Sequence, residues 1–269
     1  MSAKASLPST SINDSPDDGK LHADLEAGRE SSLVPFAQQK VGTHLMPIPL
    51  ILTSFSTGML DLATFADFYA FASNQTGNCV VLWLGIFNPS PSHSSLISGV
   101  SLASFCGFAL VFGQISQRLP NGPRTRWWLF ACNLIQSFLV LIVAILIATG
   151  VWRAQDDLRD AAKIVALLGG SGGIQVVNAK LSSVPEIPTA VVTSPWVELL
   201  SDRKLFSPHL LVKEVRSRNL RAMHIGALMV GALIAAVLRK YTSTAPVIFL
   251  AAGLKFVTTC LFCILPGDA

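Results

Sequence analysis

The feature that most constrains this chain is the length of its uncharged stretches. Over residues 41–117 the only formally charged side chains are Asp61 and Asp67, and residues 127–152 contain none. A helix that crosses a bilayer needs about 20 consecutive, predominantly apolar residues. Stretches of this length therefore predict several membrane-spanning helices rather than the core of a water-soluble domain.

The composition agrees with this prediction. Hydrophobic residues make up 51% of the chain and charged residues only 13%, about half the charged fraction of an average soluble protein. The net charge of +4 comes from basic residues in short stretches between apolar segments, which is typical of membrane-protein loops. All five cysteines lie within apolar segments, which indicates small buried side chains. We therefore expect no nucleic-acid partner, disulfide framework, metal or cofactor.

The apolar segments predict an all-α, polytopic membrane helix bundle with six crossings. The predicted crossings are residues 45–70, 95–117, 127–150, 162–181, 221–238 and 245–265. Two further apolar segments, 76–87 and 191–200, are too short to cross comfortably, and each follows a run of polar or helix-breaking residues. Such interruptions are tolerated at membrane depth only where protein or a water-filled cavity satisfies the backbone. We therefore predict two short broken or re-entrant half-helices.

Charge placement predicts the orientation of the chain. With six crossings, Arg118, Arg124 and Arg126 share one side with the basic stretch 203–221, and the positive-inside bias makes that side cytoplasmic. Arg239, together with the adjacent lysine, is an exception on the other side. Both termini are then cytoplasmic, and the plasma membrane is the default location.

Two regions of the chain differ sharply in composition. Residues 1–43 are rich in Ser, Pro, Asp and Gly and predict a disordered, polar cytoplasmic tail. Residues 44–269 are predicted to form a single transmembrane domain, whose partner is the lipid bilayer that surrounds it. No oligomeric state is predicted.

The two halves of this domain correspond to each other. Asp61 and Thr76 are 15 positions apart, as are Asn178 and Thr193. Asp61 and Asn178 are 117 positions apart. The same offset of 117 residues carries segment 95–117 onto 212–234 and segment 127–150 onto 244–267, near the apolar segments predicted for the second half. Repeat halves of about 45–150 and 162–267, with three crossings each, would have inverted topology, which is common in secondary transporters.

Two carboxylates lie within the first apolar segment. A carboxylate inside a membrane helix is costly when it faces lipid, so Asp61 is predicted to face the bundle interior and to bind a solute or an ion. The alternative is a structural role, in which Asp61 is hydrogen-bonded elsewhere in the bundle. Asp67 lies nearer the polar break, where water can reach it, and is a second candidate.

The first polar break supplies five more candidate residues for binding a solute or ion. They are Asn74, Gln75, Thr76, Gly77 and Asn78. If a half-helix begins near Gly77, its unpaired N–H groups direct a partial positive charge at the break, which favours a small polar or anionic solute. The alternative is that Thr76 caps an ordinary short helix and Gly77 serves packing.

The second half offers Gln175, Asn178 and Thr193 in the corresponding region. Gln175 and Asn178 are three residues apart and therefore share a helix face. They are as well suited to cross-link helices by hydrogen bonds as to bind a solute. Lys255 lies within the last apolar segment, and charge alone suggests a pair with Asp61.

A glycine-rich run around Ser171 matches the G-x-S-x-G pattern of serine hydrolases, and His224 opens a later helix. This pair makes an intramembrane serine hydrolase a distant alternative. In membrane helices such Gly and Ser clusters more often permit close helix packing, and no catalytic residue is assigned.

The run Gly58-Met59-Leu60-Asp61, followed by the stretch 71–78, resembles the signature of the YoaK-like family of membrane proteins (domain of unknown function 1275). A second family signature, Gly-x-Gln-x-x-Asn with a Thr-rich break, is similar to residues 173–178 and 189–193. The resemblance covers roughly residues 45–265. This chain has Ser194-Pro195 where the family usually has a glycine. The resemblance implies a multi-pass membrane protein with no established activity.

These features together favour a small-solute transporter or permease with its site at the two broken helices, and Asp61 as the candidate for proton coupling. A non-transporting structural or scaffold membrane protein is the alternative, in which the polar residues only hold helices together.

Overall fold

The computed structural model of this protein describes residues 35–88, 95–152, 157–207 and 213–266. Within these ranges the regular structure is helical, apart from one isolated bridge between Lys40 and Thr125. The described α-helices are α1 (Pro47–Phe68), α2 (Gln75–Phe87), α3 (Ser95–Gln117), α4 (Arg126–Ala148), α5 (Leu158–Leu181), α6 (Thr193–Leu200), α7 (Arg216–Tyr241) and α8 (Thr244–Ile264). The predicted all-α fold is confirmed.

Six of the described helices, α1, α3, α4, α5, α7 and α8, are long and apolar enough to cross a membrane. The chain is therefore an integral, multi-pass helix bundle, as predicted. Helix α7 begins at Arg216, five residues before its predicted apolar segment. Arginine is a good helix former, so this helix continues beyond its apolar part.

The two short helices follow two interruptions, which we call the first break (residues 69–74) and the second break (residues 182–192). With 13 residues, α2 is about 20 Å long, and α6, with 8 residues, is about 12 Å long. The hydrocarbon core of a bilayer is about 30 Å thick. Both helices are thus too short to span it, in keeping with the half-helices that the polar breaks predict.

The contacts between helices follow a regular pattern across the two halves. Helix α1 packs chiefly on α7, α5 packs chiefly on α3, and α4 packs on α8. Helix α2 packs on α3, as α6 does on α7. Under the predicted offset, α1 corresponds to α5, α2 to α6, α3 to α7 and α4 to α8, so each of these five pairs maps onto another of the five or onto itself. A twofold repeat would produce these matching pairs, and the repeat itself stays a prediction.

Glycines allow the closest of these helix contacts. A Cβ atom built on Gly58 of α1 would lie 2.0 Å from the carbonyl oxygen of Leu228 on α7. One built on Gly231 of α7 would lie 2.1 Å from a carbonyl oxygen of α1, and one on Gly173 of α5 would lie 2.4 Å from a carbonyl oxygen of α3. Small residues therefore let the backbones touch, which is the packing role expected for the glycine-rich run.

The structure describes residues 35–43 of the predicted tail, and these pack against the bundle. They form a short 3₁₀ turn, Phe36–Gln38, and the fully buried Val41 donates its N–H to the Arg124 carbonyl. The contact is favourable because it removes the apolar side chain of Val41 from water. The rest of the predicted disordered tail, residues 1–34, lies outside the described residues.

Candidate functional site

A cavity of about 720 Å³ lies where α1 and α7 meet the two breaks, and we call it the inter-break cavity. Residues from both breaks line it, and most of its lining is apolar. The lining residues that matter below are Asp61 and Phe65 of α1, Phe71 and Asn74 of the first break, and Ala190 and Val192 of the second. Two distant parts of the chain thus reach one space.

Asp61 connects α1 to the first break. The backbone N–H of Ser73 donates to Asp61 Oδ1 at 2.7 Å, and the Ser73 hydroxyl donates to Oδ2 at 2.7 Å. Ser73 lies just before α2, so the carboxylate sits at the N-terminal end of that helix. This end carries a partial positive charge that favours an anion. The anion that the structure places there is the protein's own carboxylate.

Asn78 holds the first break in shape from inside α2. Its Oδ1 accepts the Phe71 N–H at 2.8 Å, and its Nδ2 donates to the Phe71 carbonyl at 2.8 Å. The hydroxyl of Ser101 on α3 donates to the same carbonyl at 2.7 Å. Asn78 is completely buried, so it satisfies backbone groups of the break and does not face the inter-break cavity. The sequence singled out Asn78 but not its partner Ser101, which only the contact with α3 reveals.

The cap of α2 differs from the one considered from sequence. The helix begins at Gln75, and the Asn74 side chain accepts the Gly77 N–H at 3.3 Å as N-cap. Thr76 is exposed and does not act as the cap. A Cβ atom on Gly77 would lie 2.6 Å from the Phe71 ring, so this glycine serves packing. Of the five predicted residues 74–78, Asn74 lines the inter-break cavity.

Gln175 is the centre of a second, buried polar network. Lys255 Nζ donates to Gln136 Oε1 at 2.9 Å and to Gln175 Oε1 at 2.8 Å. Gln175 Nε2 lies within donor distance of Thr57 Oγ1 at 2.7 Å and Thr189 Oγ1 at 3.2 Å. The network ties α1, α4, α5 and α8 to the second break. Lys255 therefore pairs with two amide oxygens and not with Asp61, because the helix packing sets its neighbours.

The remaining candidates of the second half do not reach the inter-break cavity. Asn178 is buried and lines a separate space of about 20 Å³ together with Gln136 and Gln175, which is room for about one water molecule. Thr193 is the first residue of α6 and is exposed. Structure thus brings Asp61 and Asn74 together at one site and separates them from Gln175, Asn178 and Thr193.

The two residues of the hydrolase alternative are not partners. His224 Nδ1 lies 2.8 Å from Ser54 Oγ, and His224 Nε2 lies 3.0 Å from the Val191 carbonyl oxygen. Both ring nitrogens are therefore engaged. Ser171 is buried in α5, and its hydroxyl forms no hydrogen bond within the described residues. The Ser–His pair that hydrolysis requires is not assembled.

The family is decided by comparison with known sequences. Residues 49–261 match the sequence profile of a family described as "Protein of unknown function (DUF1275)". The chain belongs to the DUF1275 family. The match includes all the predicted site residues of this DUF1275 protein and agrees with its YoaK-like signature. No curated protein and no solved structure matches the chain.

Asp67 of this DUF1275 protein forms an ion pair at the ends of three helices. Its Oδ1 accepts Arg239 Nε at 3.1 Å and Nη2 at 2.5 Å, and its Oδ2 accepts the Thr244 hydroxyl at 2.5 Å. The pair neutralises Arg239, which explains how a basic residue is tolerated at the charge-pattern exception. Asp67 thus joins α1, α7 and α8.

We expect the Asp67–Arg239 pair to contribute measurably to stability. Asp67→Asn and Arg239→Gln should each lower the unfolding midpoint, and the double variant should lose less than the sum. A coupling free energy of about 1–2 kcal/mol is expected, because the carboxylate is buried and the guanidinium partly so. The measurement is a double-mutant cycle on purified protein, with the more exposed Lys163–Asp160 pair as control. Equal coupling energies for the two pairs would contradict the expectation.

Proposed function

We propose that this DUF1275 protein is a small-solute transporter whose binding site is the inter-break cavity. The observation that carries the proposal is that both breaks line one cavity beside an intramembrane carboxylate, Asp61. Broken helices that meet at the interface of two repeats are the usual site of substrates in secondary transporters. Ionisable residues within membrane segments usually serve solute or ion pathways.

The size and lining of the cavity support a small solute. Its volume of about 720 Å³ lies within the range of about 300–1,000 Å³ found for small-molecule pockets. A few polar groups, among them Asp61 and Asn74, lie among apolar walls, which is the usual composition of such pockets. We further propose that Asp61 carries the coupling proton, because it is the only carboxylate among the described residues that line the cavity.

We also propose that the protein lies in the plasma membrane, with both termini in the cytoplasm. Arg118, Arg124 and Arg126 and the basic stretch 203–221 support it through the positive-inside bias. The exception at Arg239 counts less, since Asp67 compensates its charge.

We expect proton-driven flux to depend on Asp61. The purified protein is reconstituted into vesicles, a pH gradient is imposed, and a panel of amines, amino acids, sugars, polyols and carboxylates is screened by mass spectrometry of the vesicle contents. Asp61→Asn should abolish gradient-driven accumulation, because an amide cannot release a proton at this site. Asp160→Asn, which changes a carboxylate outside the cavity lining, should leave accumulation unchanged. Accumulation that is insensitive to Asp61→Asn would refute the proposal.

A scaffold role is the second candidate, and the saturated hydrogen bonds of the breaks favour it. Asn78 and Gln175 each satisfy several groups within the chain, as structural cross-links between helices do. This role predicts that changes at Asn78 or Gln175 lower abundance while the vesicles show no flux of any solute. The same reconstituted vesicles therefore distinguish the two candidates.

A further inference from the structure

The charge of Asp61 is not balanced by a basic side chain. Its hydrogen bonds come from the neutral N–H and hydroxyl groups of Ser73. Among the described residues no Lys, Arg or His lies within ion-pair distance of Asp61. Each carboxylate oxygen keeps a further lone pair, and the residue lines the inter-break cavity. A carboxylate in such a poorly solvated place attracts a cation more strongly than it would in water.

An anion is disfavoured at the same place. The partial positive charge of the α2 N-terminus is already offset by the Asp61 carboxylate, through the bonds to Ser73. A second anion here would lie beside a like charge without a free helix end to bind it. The electrostatics of the cavity around Asp61 therefore favour a cationic group.

Two aromatic rings lie next to this carboxylate in the cavity wall. Phe65 is one helical turn beyond Asp61 on the same face of α1, and its ring stacks on that of Phe71 with centroids 4.6 Å apart. Both residues line the cavity. Aromatic faces attract ammonium groups and also pack against apolar carbon, so the same wall suits a cationic head and an apolar body.

The other charged groups of the cavity lining come from the C-terminal end of α7. Arg239 is paired with Asp67, which is six residues after Asp61 on α1 and thus about 9 Å along the helix. Lys240 lines this end and is exposed, so solvent and salt weaken its effect at Asp61. Apolar side chains that line the cavity lie between Asp61 and Asp67 along α1.

We propose that the inter-break cavity binds an amphipathic organic amine, whose ammonium contacts Asp61 while its apolar body packs on Phe65 and Phe71. This assignment names the substrate class of the proposed transporter and so rests on that proposal. An uncharged solute would leave Asp61 without a counter-charge, and a solute with an ionised acidic group would place a second negative charge beside it.

The test uses three probes that share one body: phenethylamine, 2-phenylethanol and phenylacetate. Each is titrated calorimetrically into the full-length protein in lipid nanodiscs. We expect phenethylamine to bind with a Kd at least about tenfold lower than that of the alcohol, and phenylacetate to bind most weakly. Asp61→Asn should raise the Kd of phenethylamine to that of the alcohol. Equal binding of the alcohol and the amine by the native protein would overturn the proposal.

A second variant keeps the proposal testable if Asp61→Asn does not fold. Phe65→Leu retains an apolar side chain at an exposed position but removes the aromatic ring. This variant should weaken the binding of phenethylamine more than the binding of 2-phenylethanol. An equal loss of affinity for both probes would count against the proposal.

The vesicle experiment separates this inference from the proposed function. Amine binding without flux of any solute would refute transport and retain the amine site. Flux of sugars or polyols without preference for the amine would retain transport and refute the amine site.

Discussion

Replacing Gly58 by alanine will prevent α1 from packing on α7, and little folded protein will accumulate. The added Cβ atom would lie 2.0 Å from the Leu228 carbonyl oxygen and 2.9 Å from the Ala232 nitrogen. Both neighbours are backbone atoms, so no side-chain rotation relieves the contact and the two helices must separate. Overpacking of a well-packed interior costs about 1–3 kcal/mol and occasionally more, and we expect at least about 3 kcal/mol here.

The control for this prediction lies on the opposing helix. Gly226 of α7 has no heavy atom within 4 Å of its ideal Cβ position, so Gly226→Ala should be neutral or slightly stabilising, because alanine favours helix. Size-exclusion chromatography of a fluorescent fusion gives the folded amount, and a thermal unfolding midpoint gives the stability. Equal yields and midpoints for the two alanine variants would show that α1 and α7 are not in direct backbone contact.

Asn78→Ala will open the first break. Without the side-chain amide, the Phe71 N–H loses the acceptor that it has at 2.8 Å, while the Phe71 carbonyl still accepts from Ser101. A buried backbone donor without a partner costs about 1–3 kcal/mol, and further hydrogen bonds of Asn78 are lost as well. We expect the free energy of unfolding to fall by about 3 kcal/mol.

The change should be local as well as large. Hydrogen exchange followed by mass spectrometry should show faster exchange across the first break and the start of α2, with α4 unaffected. The matched control is Asn88→Ala, at the exposed C-terminal end of α2, which should alter neither exchange in the first break nor stability. Native-like exchange in the Asn78→Ala protein would mean that Asn78 does not hold the break.

The six long helices and the two short ones could be predicted from the sequence alone. The reason is that bilayer thickness sets the length of an apolar run, and run length is a local property of the chain. The interruptions at Asn74 and near Pro188 were visible for the same reason, since polar and helix-breaking residues stand out between apolar segments. Membership of the DUF1275 family followed from the pattern around Asp61 and the stretch 71–78, and the profile match confirms it.

The partners of the polar side chains depend on the tertiary structure. Charge alone suggested that Lys255 pairs with Asp61, whereas Lys255 bonds two glutamines and Asp61 bonds Ser73. Partner choice depends on which helices are neighbours and how they are rotated, and neither is encoded in local composition. Gly58 is likewise visible in the family signature, but its contact with Leu228 is known only from the packing of α7 on α1.

Neighbouring polar residues at the start of α2 also take different positions that only the tertiary structure shows. A helix turns by about 100° per residue, so a start at Gln75 and not at Gly77 decides which side chains face the inter-break cavity and which are buried. Asn74 therefore lines the cavity and Asn78 is enclosed, although both are asparagines in one polar run. Apolar length along the chain determined the membrane fold, and helix rotation and packing determined the site.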